Sequence, residues 1–402
     1  MVMLCNAEGN KFLFSNENKL VESWWPSTFA KIFANPGKTI SLSEDTLRFR
    51  KLLSPFIKLD GLQKYYIGVM DTKTKQFLQQ HWHNRETVMF HHMAKKYTLE
   101  LGCTMFLNIE DPQELSKFQR IILKISSGMY AVPLNVLGTR YWRAIRESKK
   151  LQKEIEKIIK QRNIEILAES LPTEQDLISH LIQETHRDGE TLNEADVAHK
   201  VFGLLMGAYD NVSMTLVSIV KYLAELPEVY DNVFREQMEI ARSKAAGELL
   251  TWGDLQKMKY SWNVVCEALR LWPPIVGTFR VAKTDFIYEG FLIPKGCKFH
   301  WNAGATHRNS EYFPNPENFD PSRFEGNGPT VPFSYVPFGG GLRLCPGNEY
   351  ARLNLLVFIH NVVTQFKWEK VFPGEEIIYD PILIPVKGLP IRLFPHEVTN
   401  HE

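Results

Sequence analysis

The stretch FGGGLRLCPG, residues 338–347, places one cysteine among four glycines, an arginine and a proline. Gly339, Gly340 and Gly341 permit positive φ and let backbone approach a flat ligand closely, which predicts a tight loop beneath something bulky. Cys345 stands just ahead of a helix-forming run, where the N-terminal dipole and free backbone N–H groups stabilise a thiolate. Arg343 adds positive charge, and Gly347 removes a side chain from the face the helix would turn to a ligand. The competing reading is a buried structural cysteine in a glycine turn. The pattern F-x-x-G-x-R-x-C-x-G fixes five positions, and at average residue usage it is expected on the order of 10⁻⁴ times in such a chain. That rarity favours a thiolate that holds a ligand.

Two further groups bear on the same chemistry. In EALRLWPP, Glu267 and Arg270 lie one helical turn apart and can pair. Glu239 and Arg242 share that spacing. The first pair is singled out by the Pro273-Pro274 stop and by its order ahead of PSRF and the cysteine loop. In VFGLLMGAYDNVSMTL, Gly207-Ala208 removes bulk from a helix face, and Asp210 and Asn211 follow. An amide can hold a water but cannot pass a proton through a hydroxyl.

Composition narrows what these residues belong to. The chain has 402 residues, 44% hydrophobic and 23% charged, enough for one large or two ordinary cores and too apolar for a disordered chain. Lys and Arg number 47 against 46 Asp and Glu, a formal net charge of +1, so nothing argues for nucleic acid. The five cysteines, Cys5, Cys103, Cys266, Cys297 and Cys345, show no CxxC pair or zinc spacing. Reduced, intracellular chemistry is therefore favoured over a disulfide framework. The opening residues lack the pattern of a signal peptide, and no run of ~18 apolar residues offers a spanning helix.

The elements that must position these groups are mostly helical. Periodicity predicts helices over 59–82, 86–106, 111–129, 140–166, 194–226 and 229–243. After Pro273, short β-prone pieces at 278–281, 285–293 and 298–301 are punctuated by Gly290, Pro294 and Gly296, as in a small sheet. The proline-broken segment EYFPNPENFDPSRF follows, then a last helix over 348–366 and a β-like tail. The prediction is a single domain over 1–402, mainly α with small β-sheets (α+β).

Phe338, Gly341, Arg343, Cys345 and Gly347 match the heme-binding signature of the cytochromes P450, and the chain resembles that family. The resemblance implies the cytochrome P450 fold, a triangular helical prism around a buried heme b (iron protoporphyrin IX), with Cys345 as the metal ligand. It implies a structural cluster of Glu267, Arg270 and Arg323. Arg343, Arg280 in GTFR and Arg50 in SEDTLRFRKLL would meet the heme propionates, and Phe338, Gly341, Gly347 and Ala208 would complete the cofactor site. Four residues before Arg50, where the family often has tryptophan or histidine, stands Thr46. On the helix crossing the distal face the family places an acid and then a threonine to relay protons. Here the catalytic candidates are Asp210 and Asn211, which implies impaired or water-mediated oxygen activation. Heme-thiolate enzymes that rearrange peroxides also lack the threonine, but they carry a longer cysteine loop, which weighs for a monooxygenase.

The segments GNKFLFSNENKLV, WWPSTFAKIF, GVMDT, FGGGLRLCPGNEYARL and PVKGLPIRLFP resemble the plant enzymes of this family that oxidise pentacyclic triterpenes, such as the 28-oxidases of β-amyrin. Taxane hydroxylases are a related alternative. The implied reaction oxidises a hydrophobic triterpenoid with O₂ and with electrons passed from NADPH by cytochrome P450 reductase. Trp24, Trp25, Phe29 and Phe33, then Ile275, Val276 and Phe279, then Leu383 and Ile384, are expected to wall an apolar pocket. Arg352, with Arg48 and Lys51, is expected to offer the reductase a cationic face. Relatives begin with an apolar anchor, a hinge, a helix and the opening strand of a small sheet. This chain is expected to lack them, so that the sheet loses a strand. Association with the cytosolic face of the endoplasmic reticulum membrane is expected of a longer form. The rival reading is a heme-binding remnant without activity.

Overall fold

The computed structural model describes residues 1–33, 44–57, 66–168, 176–187, 193–326, 328–379 and 383–396. Its axis is the long helix Glu194–Glu225, which Asn193 caps by accepting from Asp196 N. Eighteen of its residues are buried, and it packs against the helices Phe90–Leu107, Arg140–Leu167, Lys259–Leu271 and Asn348–Val363. That burial accounts for a helix apolar on most of its faces. Pro227 ends it and opens the next helix, Pro227–Arg242, at a position where a missing N–H costs nothing.

Helices at Pro112–Met129 and Arg140–Leu167 follow the predicted periodicity, the first capped by Asp111 through Gln113 N and Glu114 N. The predicted 59–82 helix is seen as Ile67–His81, and residues 58–65 lie outside the described ones. Helices that went unpredicted include Ala7–Ser15, with Asn6 capping Gly9 N, Ser27–Phe33, Leu177–Arg187, Trp252–Lys257 and Ala303–His307.

The described strands are β1 (Val2–Leu4), β2 (Val21–Trp24), β3 (Thr87–Met89), β4 (Phe279–Ala282), β5 (Phe286–Tyr288), β6 (Phe291–Ile293), β7 (Lys298–Trp301), β8 (Phe366–Lys370), β9 (Ile377–Tyr379), β10 (Leu383–Pro385) and β11 (Pro390–Pro395). A four-stranded sheet has the order β1-β7-β4-β2, with β1 parallel to β7. Residues 2–4 supply one edge of this sheet. The predicted 86–106 helix divides, because Thr87–Met89 pairs with β11 from the chain's other end and the helix begins at Phe90. The 285–293 segment leaves the sheet as a separate β5–β6 hairpin. Its turn residues Glu289 and Gly290 both take positive φ, as a two-residue type I′ turn requires.

Two apolar clusters result. The larger one fills the helical body, and a smaller one, including Leu13, Phe14, Phe299, Trp301 and Val336, joins the four-stranded sheet to the helix Ala7–Ser15. The cysteine loop lies against that second cluster.

Candidate active site

The loop closes on itself: Cys345 N donates to Phe338 O at 2.9 Å, and Leu344 N to Gly341 O at 3.1 Å. Gly339 and Gly341 have φ of +72° and +63°. A Cβ on Gly341 would stand 2.5 Å from Phe14 O, and one on Gly340 2.5 Å from the Phe14 ring. These two glycines therefore admit a neighbouring helix, not only a ligand, and Gly341 itself does not line the cavity. Cys345 precedes the helix Asn348–Val363 by three residues. Burial pushes its thiol up, while a Gly347 N–H and Arg50 pull it down. The net direction is opposite to the lowering expected from the sequence, because desolvation of a thiolate outweighs one N–H and one half-buried cation. A bound metal reverses that balance, since a coordinating thiol is deprotonated outright.

Cys345 opens onto a cavity of about 410 Å³. Phe338, Arg343, Gly347, Arg280, Arg50 and Ala208 line it, together with Asn211, Trp25 and Ile275. Its remaining wall includes Leu53, Phe106, Leu177, Leu204 and Leu355, which come from separate helices and carried no motif. Gly203 and Gly207, one turn apart on the central helix, both face the cavity, and a Cβ on either would meet nothing within 4 Å.

The other predicted pocket residues form the surrounding aromatic structure. Phe29 stacks between Trp25 and Phe33 at 5.3 and 5.4 Å between ring centroids. Phe279 meets Trp24 and Trp25 edge-on, and Val276 O accepts from Ala303 N at 2.6 Å. Trp24, Phe29, Phe33, Val276 and Phe279 do not line the cavity itself. The Leu383 side chain lies outside the described residues. Gly277 is required by packing, since a Cβ there would fall 1.7 Å from Trp301 O.

Asp210 and Asn211, neighbours in sequence, face different surroundings. Asp210 accepts from Ser126 Oγ at 3.0 Å and pairs with Lys95 Nζ at 3.4 Å. It does not line the cavity. Burial pushes its carboxyl up, with Lys95 and Ser126 pulling the other way. Of the two residues expected to serve impaired or water-mediated oxygen activation, only Asn211 lines the cavity, and the Asp210 carboxylate faces Ser126 and Lys95. Thr215, one turn beyond Asn211 and also on the cavity, donates its hydroxyl to Asn211 O at 2.9 Å. Its i+4 spacing from Asn211 was the available signal for this unpredicted residue.

Behind the loop, Glu267 takes Arg270 Nε at 2.6 Å and Nη2 at 2.8 Å, both side chains fully buried. Asp320 N donates to the same carboxylate at 2.8 Å, and Arg323 Nε lies 3.4 Å away. Arg270 also donates to His307 O and Asn318 O, so the cluster knits the irregular 311–324 segment to the helix Lys259–Leu271. Arg352, expected on a docking face, is partly exposed and lies over the Trp252 and Trp262 rings at 5.7 and 5.2 Å, with Glu349 at 3.6 Å. Lys51 is exposed, and the Arg48 side chain lies outside the described residues.

One buried residue at this site carried no motif. Glu17 accepts from Arg280 Nε at 2.5 Å and from Arg343 Nε at 2.6 Å.

The model of the family described as Cytochrome P450 matches residues 1–389. The chain belongs to the cytochrome P450 family. It is 50% identical over 396 residues to a beta-amyrin 28-monooxygenase of Medicago truncatula, covering 98% of this chain and 82% of that one. A beta-amyrin 28-monooxygenase of Kalopanax septemlobus is 51% identical over 393 residues, covering 98% and 81%. Among solved structures, retinoic acid-bound cyanobacterial CYP120A1 superposes with a TM-score of 0.87 at 28% identity, covering 98% of this chain and 89% of that one. The fold is the P450 fold, mainly helical with small sheets.

The cofactor that P450 membership implies is heme, and the residues present fit it. A thiol stands at one wall, and guanidinium groups suited to anionic substituents stand beside it. Arg343 Nη2 is buried with no hydrogen-bond partner among the described residues. The glycine-bearing helix face leaves open space on the cavity side.

Proposed function

We propose that the protein is a heme-thiolate monooxygenase that oxidises a hydrophobic triterpenoid of the β-amyrin type, drawing electrons from NADPH through cytochrome P450 reductase. The observation that carries this reading is one cavity lined by Cys345, three arginines and a mainly apolar wall. The beta-amyrin 28-monooxygenases that match nearly the whole chain support the substrate class.

Cys345 would hold the iron, and Arg50, Arg280 and Arg343 would bind the propionates. The heme, when bound, supplies the activation of O₂. The chain's own residues do the rest. Leu204, Val212, Ile275 and Trp25 exclude water and orient an apolar substrate by shape. Gly203 and Gly207 leave room for it. Asn211 can hold a water on the cavity side by its amide, and Thr215 adds a hydroxyl on the same face.

Association with a membrane surface fits one exposed patch. Between the helices Pro112–Met129 and Arg140–Leu167, Val132, Leu134, Val136 and Leu137 are exposed. Arg140, Arg143, Arg146, Lys149, Lys150 and Lys153 are exposed beside them. Apolar side chains with a basic rim suit an anionic lipid surface.

The test is the reduced, carbon monoxide difference spectrum, followed by incubation with reductase, NADPH and β-amyrin. A red-shifted Soret band with oxidised, reductase-dependent product is expected. A band without product would instead favour the heme-binding remnant, for which Asn211 at the threonine position is the specific argument. Absence of the band would refute the heme-thiolate reading.

A further inference from the structure

Glu17 lies between the helix Ala7–Ser15 and β2, and is only 3% exposed. Its two carboxylate oxygens are divided between two arginines from distant parts of the chain. Oε2 takes Arg280 Nε on β4, and Oε1 takes Arg343 Nε in the cysteine loop. Each arginine is thus gripped at Nε, which leaves its terminal nitrogens free to point elsewhere. Arg280 Nη1 is fixed by Thr278 Oγ1 and Phe279 O at 2.9 Å each. Arg343 Nη2 is buried with no hydrogen-bond partner among the described residues. Both arginines line the cavity, as does Arg50, which donates to Leu344 O.

A buried donor without a partner has lost its hydration with nothing to replace it, so the cluster is built for a further acceptor. Two guanidinium groups sharing a buried corner repel one another, and a carboxylate between them offsets that repulsion and fixes both planes. Three guanidinium groups and one carboxylate leave two positive charges. That is the complement of the two propionates of heme b.

We propose that Glu17 is a positioning residue for the cofactor's anionic edge. It braces Arg280 and Arg343 through their Nε atoms, aims the remaining N–H groups at the propionates, and sets the net charge facing them. This deepens the heme reading above and rests on it.

The test uses the heme-loaded protein and two readouts, the rate of heme transfer to an excess of apo-globin and the Fe(III)/Fe(II) midpoint potential. Glu17→Gln preserves size but removes the charge and turns an amide N–H toward one guanidinium. Heme release at least about fivefold faster is expected, with a positive shift of the potential, because a negative charge beside the cofactor-facing arginines has been lost. Glu17→Asp keeps the charge but cannot span both arginines, so release quickens while the potential stays near the parent value. In the pair Glu17→Gln with Arg343→Gln, the effects on release should fall short of additive, since one acts through the other.

Parental release and potential in Glu17→Gln would overturn the proposal. If that variant does not fold, a parental release rate in Glu17→Asp overturns it. The parent's carbon monoxide spectrum separates the two readings. A thiolate-type band in the parent with unaffected variants refutes only the role of Glu17, whereas its absence refutes heme binding itself.

Discussion

Replacing Glu267 by Gln tests whether the cluster behind the cysteine loop is held by charge. Three donors converge on this fully buried carboxylate, Arg270 Nε, Arg270 Nη2 and Asp320 N, and Arg323 Nε stands 3.4 Å away as a further cation without a hydrogen bond. Gln keeps one acceptor oxygen and turns an NH₂ toward the donors of the other side. Arg270 is fully buried as well, and its bonds to His307 O and Asn318 O do not neutralise it. Breaking a buried pair by removing one partner costs about 3–5 kcal/mol, which is roughly two to three and a half decades in the unfolding equilibrium. The assay is denaturant unfolding followed by far-UV circular dichroism, comparing midpoints at unchanged slope. The reasoning also expects the 311–324 segment to loosen first, read as faster amide exchange there than in the central helix. A loss below about 1 kcal/mol would refute it, because the three donors would then be satisfied without a carboxylate.

Three further outcomes are expected. His91, His307 and His360 are held by burial at about 4, 3 and 4, against an ordinary 6.5. His307 Nε2 accepts from Val336 N, which requires a neutral ring. Depressed histidine pKa values mean that the unfolded chain binds more protons, so their contribution is whole above pH 6.5 and is lost as pH falls toward 4. The slope reaches up to ~4 kcal/mol per pH unit for three groups, and denaturant midpoints that stay flat between pH 7 and 5 would contradict it. Gly207→Ala should stabilise the central helix by up to ~1 kcal/mol while filling cavity space, so melting temperature rises and triterpenoid turnover falls. Equal turnover would show that this face is not part of the substrate volume. Asn211→Thr supplies a hydroxyl on the cavity side and should raise product formed per NADPH consumed, with less hydrogen peroxide released. Unchanged coupling would mean that protons already arrive by another route, and Thr215 supplies one hydroxyl on the cavity for it.

Much of the site was legible because its signals are local. The thiol, its glycines and Arg343 lie within ten residues, and Glu267 and Arg270 within one turn. Helices such as Pro112–Met129 and Glu194–Glu225 announce themselves by a 3.6-residue period and by caps at Asp111 and Asn193. The strand Thr87–Met89 was hidden inside an apparent helix because its partner lies about 300 residues away. Gly341 was read as room for a ligand, since its sequence does not tell which neighbour needs the space, and the neighbour found is Phe14.

The sequence alone therefore determined the groups available: a cysteine in a glycine loop beside Arg343, a glycine-bearing helix with Asn211 after Asp210, and a mainly helical body. Only the tertiary structure decided which groups face the cavity. Successive residues of an α-helix point about 100° apart, so whether Asp210 or Asn211 meets the cavity depends on how packing rotates the helix. Packing against Ser126 and Lys95 turns Asp210 away. Glu17 and Arg343 stand 326 residues apart in the chain, and no periodicity or motif links such positions. Their meeting is a consequence of the second apolar cluster, which draws the Ala7–Ser15 helix onto the cysteine loop and brings Glu17 within reach of both Arg343 and Arg280.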